Sequence, residues 1–259
     1  MVTAMDPPAS LVSASTWTLD LPVSDPSRVL VRLLMHPKEL DDRTLLALRA
    51  WSEGELERMG RFRHAASKTS WCLARWLLGM SMGELTGDPG AALRLEIGEH
   101  GKPFVRGSRF RFNWSHTSGC VALAMAWDRD VGVDVESAAR APGDFLEVAR
   151  SLFMHDEIDW IGEAGLEESR LRFLAIFVQK EAALKLRGTG FDREPVDAPV
   201  ALTLPPAGGE GWALATAEGQ ERYFVAVAAE TTAGPTPHFS FDALSLVASQ
   251  TAKPSSQPI

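Results

Sequence analysis

The run Val131-Gly132-Val133-Asp134-Val135-Glu136 alternates apolar and acidic side chains. Alternation of period two is the signature of a strand, because successive side chains leave it on opposite faces. Val133 and Val135 therefore need a buried face, and Asp134 and Glu136 share the other one. Two carboxylates on one face suit a hard dication such as Mg²⁺, which takes carboxylate oxygens and keeps several waters. Taken alone, the same pattern also describes the solvated face of an antiparallel strand.

The segments around this strand predict a mixed fold. Arg28–Met35 is β-rich, and Phe110–Ser115 and Val121–Trp127 predict a strand pair joined through Thr117-Ser118-Gly119. Leu93–Ile97 predicts a short strand leading into the turn Gly101-Lys102-Pro103. Ser52 and Glu55 have capping-box spacing, so a helix should begin at Glu53. Ser67–Met82 predicts a longer helix, with Trp71, Ala74, Leu78 and Met82 on one face and Lys68 and Arg75 on another. Asp144–Phe153, Asp156–Gly162 and Leu166–Leu186 predict helices. Val200–Leu204, Trp212–Thr216, Arg222–Ala229 and Phe239–Leu246 return to strands. Strands, helices and strands in blocks predict an α+β protein of two lobes, with a boundary near Asp128–Asp130. Residues 1–15 and 249–259 are expected to be disordered.

Composition narrows the function classes. The 259 residues are 45% hydrophobic and 23% charged, which is the profile of an ordinary globular protein. A formal net charge of −8 disfavours nonspecific binding of nucleic acid. No apolar run reaches membrane-spanning length, and MVTAMDPPAS has neither the basic start nor the apolar stretch of a signal peptide, so a cytoplasmic protein is expected. Cys72 and Cys120 lie in apolar runs without a CxxC or a Cys/His cluster, and they predict buried thiols.

Two further segments carry chemistry. Glu181 and Lys185 are four apart on a predicted helix, the favourable order for an ion pair. Phe173, Leu174, Ile176, Phe177, Ala182, Ala183 and Leu184 surround them, so the charges should be at least partly enclosed and in need of partners. Ser115-His116 cannot act as nucleophile and base, since strand neighbours point oppositely, and there is no G-x-S-x-G elbow. The histidine, at a strand end, could instead donate to a phosphate or be a satisfied structural residue, and Lys102 stands on a rigid turn.

The order of these segments resembles the Sfp-type 4′-phosphopantetheinyl transferases. That family carries, in sequence, an L-S-x-x-E-L…R-F helix, an A-R-x-x-L helix, a G-K-P turn, F-N-x-S-H, G-[IV]-D-[IV]-E and [WF]-x-x-K-E-[AS]-x-x-K. This chain reads Trp51-Ser52-Glu53-Gly54-Glu55-Leu56 with Arg61-Phe62, then Ala74-Arg75-Trp76-Leu77-Leu78, Gly101-Lys102-Pro103, Phe112–His116, Gly132–Glu136 and Phe177–Lys185.

The resemblance implies two similar α/β lobes in a pseudo-dimeric chain, residues 16–128 and 129–248, with the active site in the cleft between them. It implies coenzyme A as co-substrate, Mg²⁺ as cofactor, and transfer of phosphopantetheine to a serine of an acyl or peptidyl carrier protein by a monomer. Asp134, Glu136 and Glu181 would be metal ligands. Lys185 would steady a phosphate oxygen or protonate the departing adenosine 3′,5′-bisphosphate. Lys68, Arg75, Lys102, Ser115 and His116 would hold coenzyme A, and Glu157, or a metal-bound water in its place, would be the base for the carrier serine. Three positions depart from the family pattern: Phe177 stands where Trp is common, Leu152 replaces an aromatic, and Lys68 stands where Arg is frequent. A noncatalytic coenzyme A- or carrier-binding homologue is the alternative, and a different Mg²⁺ phosphoesterase ranks below it.

Overall fold

The fold was obtained as a computed structural model. It describes residues 11–13, 25, 27–49, 51–88, 95–98, 101–189, 197, 198, 200–202, 204, 208–218, 221–232 and 235–248. Most of the expected disorder at 1–15 and all of it at 249–259 lies outside those residues, as do Leu93 and Arg94 of the expected strand Leu93–Ile97.

Two sheets and two groups of helices stack in four layers. The first sheet has the order β1-β11-β2-β6-β5, built from β1 (Leu11–Ser13), β2 (Arg28–Met35), β5 (Phe110–Thr117), β6 (Cys120–Trp127) and β11 (His238–Ala248). The second has the order β7-β10-β9-β8, built from β7 (Val131–Ser137), β8 (Gly208–Gly209), β9 (Trp212–Glu218) and β10 (Arg222–Ala229). A small hairpin, β3 (Leu95–Ile97) with β4 (Pro103–Val105), stands apart. Helices α1 (Asp42–Ala47), α2 (Glu53–Gly60) and α3 (Ala65–Thr86) cover the first sheet, and α4 (Phe145–Leu152), α5 (His155–Gly162) and α6 (Leu166–Arg187) cover the second.

The period-two pattern explains the layering. In β2 and β6, Leu30, Leu34, Val121, Leu123 and Met125 face the helices, while Val29, Val31, Ala122 and Ala124 face the second sheet. Val131, Val133 and Val135 of β7 are fully buried against that inner face. The other face of β7 turns to α6, and there Gly132 is required. A Cβ at Gly132 would lie 2.1 Å from the Ala182 carbonyl oxygen and 2.3 Å from the Leu186 nitrogen. Helix and strand backbones thus pack in direct contact, which only glycine permits.

The capping box is present as read: Glu55 N donates to Ser52 Oγ, and the Ser52 amide donates to the Glu55 carboxylate. Both cysteines are buried, and desolvation pushes their thiols up to about 12.

Two expectations are corrected. Leu11–Ser13, expected within a disordered segment, pairs antiparallel with β11, because β11 offers an open edge. Val200–Leu204 is not a strand over its described residues. The Gln179 side-chain amide satisfies the Ala201 backbone instead, accepting from its N–H at 2.8 Å and donating to its carbonyl at 3.4 Å. β11 pairs in parallel with β2 and so joins the first sheet. A periodicity locates a strand but does not say which edge it joins.

Candidate active site

The acidic face of β7, the edge strand β5 and the C-terminal half of α6 converge on one point. Asp134 is 3% exposed. Its Oδ1 accepts from Lys185 Nζ at 2.6 Å and from Ser115 Oγ at 2.7 Å, and Lys185 Nζ lies 3.0 Å from Ser115 Oγ. The i,i+4 spacing of Glu181 and Lys185 brings both to this junction on one helical face. Lys185 therefore pairs across to the strand, as enclosure among apolar residues required.

The carboxylates repel one another. Burial first, and then the charge of Asp134, pushes Glu136 up to about 7; a hydrogen bond from Thr117 opposes the rise. Burial and Asp134 likewise raise Glu181 above the usual carboxylate range, while Lys185 opposes the shift. Like charges held in a poorly solvated place call for a cation. Asp134 Oδ2 is buried and has no hydrogen-bond partner, so it is an acceptor waiting for one. The donor set, three carboxylates and no thiol, is that of a hard dication. Among the described residues no three His, Cys, Asp or Glu side chains are drawn together closely enough to form a metal centre; Lys185 supplies the positive charge in this arrangement.

Two cavities open on this junction. One, of about 260 Å³, is lined by Lys102, Asn113, Trp114, Lys185 and Gly188 among others. The second, of about 350 Å³, has His116, Thr117, Glu136 and Arg140 on one side and Phe173 and Phe177 on the other. Burial, then the nearby charge of Lys185, lowers the His116 pKa below the usual imidazole value. Lys102 donates to the Leu186 carbonyl at 3.3 Å and lies 3.5 Å from Asp130, which steers its turn toward the end of α6.

The remaining expected residues lie elsewhere. Arg75 is 7% exposed and donates to Glu55 Oε1 through Nε at 2.8 Å and Nη2 at 2.6 Å, beside Arg49, which donates to the same oxygen. Lys68 pairs with Asp42. Both are engaged in ties between the first helices rather than presented at the junction. Glu157 is tied between α5 and α6. It is 3% exposed, its Oε1 is 2.8 Å from the fully buried Lys180 ammonium, and its Oε2 accepts from the Met154 amide at 2.7 Å. In this arrangement the buried carboxylate braces α5 against α6. Sequence reasoning missed Asn113, Thr117 and Lys180. The first two sit at the same period-two phase as Ser115, a signal that was available.

The match to known proteins falls on this same region. Residues 130–228 match the family model of the 4′-phosphopantetheinyl transferase superfamily. The chain is 26% identical over 160 residues to the 4′-phosphopantetheinyl transferase HetI of Nostoc sp., covering 60% of this chain and 67% of HetI. It is 30% identical over 122 residues to the 4′-phosphopantetheinyl transferase AcpT of Salmonella typhimurium, covering 47% of this chain and 59% of AcpT. It is 26% identical over 212 residues to mouse L-aminoadipate-semialdehyde dehydrogenase-phosphopantetheinyl transferase, covering 71% and 68%. The class defined by fold, site and relatives is a transferase enzyme of mixed α+β structure. Over residues 130–228 the chain is similar to the 4′-phosphopantetheinyl transferase superfamily, and the relatives it matches carry that name.

Proposed function

We propose that this protein moves the 4′-phosphopantetheine arm of coenzyme A onto a serine of an acyl or peptidyl carrier protein and releases adenosine 3′,5′-bisphosphate. One observation carries the reading: Asp134 joins Ser115 and Lys185 at the α6–β7 junction, with its second oxygen buried and open, beside two carboxylates whose pKa values are raised. Asp134, Glu136 and Glu181 would hold Mg²⁺, which when bound supplies charge neutralisation for the pyrophosphate.

The chain's own side chains do the rest. Lys185 stands where its ammonium can steady a phosphate oxygen or give a proton to the departing bisphosphate. Lys102 and His116 line the flanking cavities and bind the phosphates, and Ser115 adds a hydroxyl. The serine proton is taken up by a base, Glu157 or a water molecule in the site. The serine oxygen then bonds to the phosphorus nearest pantetheine, the bond to the bisphosphate breaks, and the bisphosphate carries away the negative charge. Phe173 and Phe177 give one cavity an apolar wall for the pantetheine arm.

A two-lobed pseudo-dimeric arrangement of 16–128 and 129–248, a monomeric state and a cytoplasmic location belong to the same proposal. So does the absence of nucleic-acid and membrane partners; among the described residues no helix is long and apolar enough to cross a membrane. The test is intact-mass spectrometry of apo carrier proteins incubated with this protein, coenzyme A and MgCl₂. A gain of one phosphopantetheine group, abolished by EDTA, is the expected result. No gain on fatty-acid, polyketide or peptide carriers would refute it.

A further inference from the structure

β5 and β7 lie in different sheets, and three side chains of β5 reach across the gap between them. Asn113 Oδ1 accepts from the Val133 backbone N–H at 3.0 Å. Ser115 Oγ donates to Asp134 Oδ1 at 2.7 Å, and Thr117 Oγ1 donates to Glu136 Oε2 at 3.1 Å. The three residues are 7%, 9% and 4% exposed. Period two puts them on one face of β5, so they act as successive rungs of a ladder made of side chains. The last rung is braced from behind: Ser70 Oγ on α3 donates to the Thr117 carbonyl at 3.1 Å and lies 3.4 Å from His36 Nε2.

The rungs have different consequences. Val133 N–H is a buried donor on the free edge of β7, and Asn113 is the acceptor that satisfies it. This bond sets how far β5 can slide along β7, and hence whether Ser115 meets Asp134. Thr117 holds one oxygen of Glu136 and so restricts the rotation of a carboxylate that already feels the charge of Asp134. We propose that Asn113 and Thr117 are positioning residues of the transfer reaction: Asn113 fixes the register of β5 against β7, and Thr117 aims Glu136 at the cation. This rests on the proposed function, since it assigns Glu136 to a cation site.

The test is calorimetric titration of MgCl₂ into the protein alone, without coenzyme A or carrier, for wild type, Thr117→Val, Thr117→Ser and Asn113→Leu. Thr117→Val keeps the shape of the side chain and removes only the hydroxyl. It should weaken Mg²⁺ binding about tenfold or more, the usual cost of losing a group that orients a ligand, with an unchanged denaturation midpoint. Thr117→Ser should restore the affinity, which a purely structural role for the residue would not require. Asn113→Leu should weaken binding as well, and if that variant fails to fold the threonine pair still decides. Wild-type affinity in Thr117→Val, or no recovery in Thr117→Ser, overturns the inference and leaves the proposed function standing. A wild-type protein that takes up no Mg²⁺ also overturns the inference, whereas the proposed function falls only if no carrier protein gains mass.

Discussion

Replacing Gly132 with alanine tests the physical core of this account. The new Cβ would sit 2.1 Å from the Ala182 carbonyl oxygen and 2.3 Å from the Leu186 nitrogen, whereas real Cβ contacts essentially never fall below 3.0 Å. Both obstacles are backbone of α6, so no side-chain rotation relieves them. The helix must retreat from β7 by at least about 0.9 Å, the shortfall between 2.1 and 3.0 Å. Lys185 lies in the same turn, and its 2.6 Å contact with Asp134 is stretched by the same movement. Overpacking of this kind costs about 1–3 kcal/mol, and a misplacement near 1 Å costs about 10²-fold in rate. Urea denaturation should show a lower midpoint, and the initial rate of holo-carrier formation should fall by about 10²-fold. Gly143→Ala is the control, since nothing lies within 4 Å of the added carbon. An unchanged midpoint together with an unchanged rate in Gly132→Ala would refute the claim that backbone contact between α6 and β7 aligns the site.

Asp134→Ala should abolish transfer while circular dichroism stays native; full activity in the folded variant would remove Asp134 from the site. Lys180→Met leaves Glu157 as a buried charge without its ammonium, and loss of one partner of a buried pair costs about 3–5 kcal/mol. Chemical denaturation should show that loss, and a stability equal to wild type would mean that the Glu157 pair is not a brace. His36, 2% exposed, has its pKa lowered by burial from 6.5 to about 4. The folded state then binds fewer protons than the unfolded state between those values. Stability is therefore fully present above pH 6.5 and is lost as pH falls toward 4, by about 3 kcal/mol at about 1.4 kcal/mol per pH unit. His36→Gln should flatten that part of the stability profile; an identical slope would assign the acid sensitivity to other groups.

Much of the architecture is readable along the chain because its determinants are local. The alternation of Val131–Glu136, the continuous apolar run of Tyr223–Ala229, the spacing of Ser52 and Glu55 and the apolar stripe of α3 each act within one element. The same local patterns put Asp134 with Glu136 and Glu181 with Lys185, two by two. The rest is hidden where a residue's partner is distant in sequence. Val200–Leu204 has the composition of a strand, but Gln179, some 20 residues earlier, takes its backbone bonds. Glu157 has the right position relative to Arg150 and Phe153, yet Lys180 buries it in an ion pair. Arg75 reads as an available cation until Glu55 is seen to hold it.

The sequence by itself determined which faces are apolar, which carry acid and where most elements begin and end, because side-chain periodicity and capping are properties of neighbours in the chain. Only the tertiary structure decided that β11 returns to β2, that Asn113, Ser115 and Thr117 bridge two sheets, and that Lys185 meets Asp134 across 51 residues. Those contacts depend on how far two backbones can approach, which at Gly132 is decided by a missing methyl group.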